Sequence, residues 1–134
     1  GWVNRLRILD NVSLLPMISQ AELWREFARS LVSVSVSEHD GTPNSLLEAM
    51  AIGCLPVCGD IESIREWIHN GENGILVDPA DAYALAEAVQ RGIMDEEFRR
   101  AAAARNREII RERAEITIVR QKVAEFYQRM TGFV

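Results

Sequence analysis

From Val12 to Val77, four short apolar runs alternate with three stretches at helical spacing, and that alternation leaves the chain few architectures. The runs are Val12-Ser13-Leu14-Leu15-Pro16, Leu31 to Ser37, Leu55-Pro56-Val57-Cys58 and Gly74-Ile75-Leu76-Val77. Strands separated by whole helices cannot return as tight hairpins. They lie parallel, with crossover helices on the faces of the sheet. The expected fold class is therefore α/β, a parallel sheet with helices on both faces.

Local signals place the helices. Ser19 can cap a helix from Gln20 to Ser30, with Glu22 three residues on, and Leu23, Trp24, Phe27 and Leu31 fall at helical spacing. The next run alternates Val with Ser, at the period of a strand. Thr42 suits the cap and Pro43 the first turn of a helix from Asn44 to Ile52, which Gly53 ends. Ile61, Ile64, Trp67 and Ile68 predict a further amphipathic helix, stopped near Asn70-Gly71. After Asp78-Pro79 the chain reads as helical to its end. Asp81 opens a helix over 82–91, and two more are predicted over 95–113 and 114–130, with no Gly or Pro between them.

The 134 residues are 48% hydrophobic, enough for one domain with a substantial core. A net charge of −5 and the lack of a basic stripe argue against nucleic acid as a partner. Cys54 and Cys58 read as small buried residues in a reducing compartment, since zinc needs more ligands than His39 and His69 can add. No apolar run is long enough to span a bilayer and no leader pattern opens the chain, so a cytoplasmic protein is the default expectation. The chain opens at Gly1 rather than Met, which points to a piece of a longer protein.

In open parallel sheets, ligands bind beyond the carboxyl ends of the strands. Two loops leave such ends, Ser37 to Asn44 and Gly59 to Ser63. In the first, small residues let backbone approach a ligand, and the helix that follows offers free N–H groups and a partial positive charge to a phosphate. Thr42, Asn44 and Ser45 add hydroxyl and amide groups. Asn44, Ser45 and Glu48 share one helix face, while Leu46, Leu47, Met50 and Ala51 are expected on the other, toward the core. The same residues also suit a plain turn from Asp40 to Pro43 with Glu48 a solvated helix residue, and the loop alone does not separate these readings.

The run from Ser37 to Val57 resembles the retaining glycosyltransferases of the GT-B fold, group 1 or family 4. Their signature is an acid, seven residues, then Glu, followed by Ala-Met-Ala, a Gly and a Pro-Val strand. Here it reads Asp40, Glu48, Ala49-Met50-Ala51, Gly53 and Pro56-Val57. Asn11-Val12, Glu22-Leu23, Glu66, Asn73-Gly74-Ile75-Leu76-Val77-Asp78-Pro79, Leu85-Ala86 and Phe126-Tyr127 fit the family too, so the likeness covers nearly the whole chain.

The resemblance implies a Rossmann-like domain that binds a nucleoside-diphosphate sugar. It places Glu48 at the ribose hydroxyls, Asp40 at the donor sugar and its reacting end, and the stretch Gly41, Thr42, Pro43, Asn44, Ser45 and Leu46 around the pyrophosphate, which is held by backbone N–H groups around Thr42 to Leu46, Pro43 having none to give. It implies glycosyl transfer to an acceptor hydroxyl, with no bound metal and no other cofactor. The acceptor, a sugar, lipid or other hydroxyl compound, belongs to a second domain that this chain lacks. Also lacking are a strand and helix carrying an Arg and a Lys that clamp the diphosphate. The chain is thus expected to be the donor-binding half, truncated at its N-terminus and inactive in transfer alone, with peripheral membrane association open to the longer enzyme.

Three positions depart from the family pattern. Asp40 replaces the usual Glu, Gly41-Thr42-Pro43 replaces a Gly and an aromatic residue, and Glu62-Ser63 replaces a Gly-Gly. An added acid near a diphosphate repels it. The Asp40 and Glu62-Ser63 changes support one alternative, a non-catalytic nucleotide-binding or interaction module; a second is a sugar-nucleotide epimerase of the same architecture, whose motifs differ from the run Ala49-Met50-Ala51-Ile52-Gly53. Elsewhere, Trp2, Trp24 and Trp67 are expected in the core or at an interface, Asp60 in the pocket or as a cap, and the arginines from Arg99 to Arg113 on a solvated face. An unpaired edge along Leu31 to Val36 would favour self-association.

Overall fold

The computed structural model describes residues 1–39, 41 and 44–131, with the side chains of 126–131 excepted. Its helices are α1 (Trp2–Arg5), α2 (Gln20–Arg29), α3 (Asn44–Ile52), α4 (Glu62–Arg65), α5 (Ala82–Met94), α6 (Glu96–Arg113) and α7 (Ile116–Thr131). The strands are β1 (Val32–Ser35), β2 (Leu55–Gly59) and β3 (Ile75–Val77). They form one parallel sheet in the order β1-β2-β3, with Val32 opposite Leu55 and Val57 opposite Ile75.

The central strand explains itself. β2 is buried along its whole length and reads as a continuous apolar run, as a parallel strand covered on both faces must. Pro56 is tolerated there because of register. The Leu55 N–H bonds the Leu31 carbonyl at 3.0 Å, on the β1 side. The next residue therefore faces the other side, where β3 has not yet begun, and its missing N–H forfeits no ladder bond.

Two apolar clusters sandwich the sheet. On one face Leu46 and Met50 of α3 meet Cys58, Ile64, Ile68 and Ile109. On the other, Ala88 of α5 meets Leu55, Val57, Ile75 and Val77. Each fully buried Leu, Ile, Val or Met adds about 1.5–3 kcal/mol of transfer free energy. α6 ties the clusters together. Its buried residues Ala102, Asn106 and Ile109 form one stripe at helical spacing, and Ala102 joins one cluster while Ile109 joins the other. Gly92 lets α5 lie close to the sheet, since a Cβ there would stand 2.9 Å from Val32 Cγ2.

The capping box at Ser19 and Glu22 is present, as are the caps at Asp81 and Asp95. Gly53 ends α3 at a φ of 105°, a left-handed conformation that favours glycine. α6 and α7 are separated without Gly or Pro at Ala114, whose N–H bonds the Ile110 carbonyl at 2.9 Å.

Four expectations are corrected. The segment from Val12 to Pro16 is no strand: Val12 is extended, but none of the described residues pairs with the segment, and a strand without a ladder is not one. The helix expected through Ile68 is a single turn, α4. Asn73 takes over the backbone beyond it, its side chain bonding the His69 N–H and the Trp67 carbonyl. Ala51 is exposed and Ala49 is buried instead, because Ala49 lies three residues from Leu46 and Ala51 five. Among the arginines of α6, Arg100, Arg105, Arg107, Arg111 and Arg113 are exposed as expected, with Arg100 paired to Glu96 and Arg105 to Glu108, and Arg99 alone departs, being half-buried. Arg99 donates to the Gly92 carbonyl at 2.8 Å, and Arg113 lies 4.2 Å over the Trp67 ring.

Candidate functional site

The site is built where β1 and β2 end. A Cβ on Gly59 would lie 2.8 Å from the Ser37 carbonyl oxygen and 3.0 Å from Pro79 Cγ, so only glycine lets the two strand ends and their loops come this close. Sequence reading passed over Gly59 as part of a loop. Its signal was a Gly at the end of an otherwise apolar strand.

From the end of β1 the chain runs through Glu38 and His39 into α3. Asp40, Thr42 and Pro43 lie outside the described residues. Of the other expected site residues, Gly41, Asn44 and Ser45 are exposed and Glu48 is half-buried one turn further on. Leu46 is buried in the core, so it offers a ligand its backbone N–H and not its side chain. The first turn of α3 thus turns a polar face outward while Leu46, Ala49 and Met50 anchor its back.

Glu48 is not a free surface carboxylate. Gln20, the first residue of α2, donates from Nε2 to Glu48 Oε1 at 2.7 Å. Sequence reasoning missed Gln20, because nothing in a local pattern couples residues 28 apart. Glu48 also lines the open groove between α2 and α3, about 520 Å³, with Ala21, Trp24, Arg25, Ala28 and Ala51 on its walls. Trp24 is 45% exposed there, so of the two places expected for it, core or interface, the core is excluded.

A second crevice, about 400 Å³, opens between the β1 loop and α4, lined by Glu38, His39, Ile61, Glu62, Ser63 and Glu66. It gathers three carboxylates at the carboxyl end of the sheet. Asp60 neither lines this crevice nor caps α4. It pairs with Arg65 at 2.6 Å, and that hydrogen bond holds its carboxyl below the usual carboxylate range. Among the described residues no cluster of His, Cys, Asp and Glu is arranged to hold a metal ion.

With this geometry in view, the comparisons with known proteins decide the family. The model for glycosyl transferases group 1 matches residues 2–109. The chain belongs to that family. An O-antigen chain mannosyltransferase B from Escherichia coli is 31% identical over 105 residues, 78% of this chain and 25% of the relative. An exopolysaccharide phosphotransferase from Streptomyces coelicolor is 37% identical over 101 residues, 74% of this chain and 10% of the relative.

Among solved structures, sucrose-phosphate synthase from Thermosynechococcus elongatus superposes on the whole chain with a TM-score of 0.89 at 24% identity, over 34% of its own length. Anabaena HepE in complex with UDP-glucose covers 95% of the chain with a TM-score of 0.87 at 21% identity, over 35% of its own length. The group 1 chain thus has the Rossmann-like α/β fold of GT-B proteins and spans about a third of those solved chains. Among its described residues no helix is long and apolar enough to cross a membrane.

Proposed function

We propose that this group 1 chain is the donor-binding part of a longer glycosyltransferase, which moves a glycosyl group from a nucleoside-diphosphate sugar to an acceptor hydroxyl. The observation that carries the reading is the outward face of α3. Asn44 and Ser45 are exposed at the helix start, and Glu48 is held in place one turn later, all beyond the carboxyl end of β1. A helix start suits a diphosphate, through its free N–H groups and its dipole. A carboxylate accepts from ribose hydroxyls.

The crevice of Glu38, Glu62 and Glu66 complements this arrangement. Three carboxylates repel a diphosphate but accept hydrogen bonds from sugar hydroxyls, so the sugar belongs on that side and the phosphates over α3. Asp40 follows directly from the crevice residue His39, in keeping with its assignment to the donor sugar. The leaving diphosphate is stabilised by fixed dipoles and by cations from the rest of the enzyme, without a metal. The acceptor, a sugar, lipid or other hydroxyl compound, binds a second domain, so this chain alone binds donor without completing transfer. Two unpaired buried cysteines fit a reducing, cytoplasmic setting, with the full enzyme free to sit at a membrane surface.

Calorimetric titration with UDP, GDP and ADP tests the reading. One nucleotide binds saturably, and Glu48→Ala weakens it at least tenfold. Absence of binding by all three would favour the alternative module that kept the fold and lost the donor, for which the acidic crevice is the supporting feature.

A further inference from the structure

We infer that Gln20 is a positioning residue for Glu48 in nucleotide recognition, an inference that rests on the donor-site reading above. Gln20 is the first residue of α2, and its place is fixed from behind. The Ser19 N–H donates to Glu22 Oε2 at 2.8 Å, the Ser19 hydroxyl donates to the same oxygen at 2.7 Å, and the Glu22 N–H returns a bond to Ser19 Oγ at 3.3 Å. From this pinned turn the Gln20 amide reaches across to α3 and donates to Glu48 Oε1 at 2.7 Å.

The choice of partner has chemical consequences. An Arg or Lys at this place would fix the carboxylate too, but would compete for its charge. A neutral amide donates one N–H, fixes the plane of the carboxylate and leaves Oε2 with its full acceptor capacity. A glutamate side chain on an open helix face otherwise samples several rotamers. Holding it in one before the ligand arrives removes that ordering cost from binding. The ligand group that gains is the pair of ribose hydroxyls, so the effect appears as discrimination between ribose and deoxyribose. The diphosphate, bound elsewhere on α3, is indifferent to it.

The experiment compares wild type, Gln20→Ala, Gln20→Glu and Glu48→Ala in this chain. The probes are the tightest of UDP, GDP and ADP, its 2′-deoxy counterpart and inorganic pyrophosphate. Wild type prefers the ribonucleotide. Gln20→Ala lowers that preference about 3–10-fold, the worth of one hydrogen bond that orients a charged group, and leaves pyrophosphate affinity unchanged. Gln20→Glu lowers it at least as much, since it sets a second carboxylate against the first. A structural role alone would weaken all three probes together. If Glu48→Ala erases the preference and both Gln20 variants keep it, the inference about Gln20 is overturned and the donor site stands. If Glu48→Ala also keeps it, or no nucleotide binds, the ribose role of Glu48 and the role of Gln20 fall together.

Discussion

At the scale of single residues, two buried groups carry sharp consequences. Asn73 and Asn106 are both almost fully buried, at 1% and 0% exposure. Asn73 Nδ2 donates to Asn106 Oδ1 at 2.8 Å, and Asn106 Nδ2 donates back to the Asn73 carbonyl at 2.8 Å. The pair ties the turn before β3 to the middle of α6. Asn106→Leu keeps the volume but strands a buried carbonyl, and it is expected to cost about 2 kcal/mol in urea unfolding. A loss under a few tenths would mean that water or repacking satisfies Asn73. Cys58 gives a pH dependence. Burial pushes its thiol up from 9.0 to about 12. The folded state thus favours the neutral thiol: its contribution is whole below pH 9 and is lost as the pH rises from 9 toward 12. Urea midpoints of wild type should fall across that range more steeply than those of Cys58→Ala, and parallel curves would contradict the assignment. Only one of these was legible in the sequence. The cysteines read as buried because free Cys behaves as a small hydrophobe. The Asn pair and the Gln20–Glu48 bond were not, because partners so far apart in sequence leave no periodic trace.

At the scale of elements, the sequence placed every helix with a side-chain cap well, because cap chemistry is local. Ser19, Asp81 and Asp95 each mark a true start. It overextended α4 and placed a strand from Val12 to Pro16, because apolar spacing says nothing about whether a partner strand lies alongside. The element that most directly shapes the site is the junction of β1 and β2 at Gly59. Gly59→Ala would drive a Cβ to 2.8 Å from the Ser37 carbonyl, against backbone that cannot swing aside. It is expected to cost about 1–3 kcal/mol in urea unfolding, as overpacking does, and to weaken nucleotide binding by parting the strand ends. Wild-type stability in that variant would show that the strand ends need not approach.

For the whole molecule, β1 pairs with β2 on one side only, so its other edge is open among the described residues, and its Val34 is 48% exposed. An unpaired edge with an apolar side chain templates pairing with another chain. Sedimentation equilibrium of this chain should show self-association that grows with concentration, and Val34→Lys should suppress it. A single monomeric mass at the highest concentration would contradict this. The same edge lies beside the site, so donor binding and edge pairing are best measured together. The central claim, that the start of α3 is a donor site, is tested most directly by backbone amide NMR of labelled chain titrated with UDP, GDP and ADP. Saturable shifts are predicted at Gly41, Asn44 to Glu48 and Gly59 to Ser63, with the nucleotide concentration needed to saturate them raised at least tenfold in Glu48→Ala. Shifts scattered over the surface, or none with any nucleotide, would contradict the account.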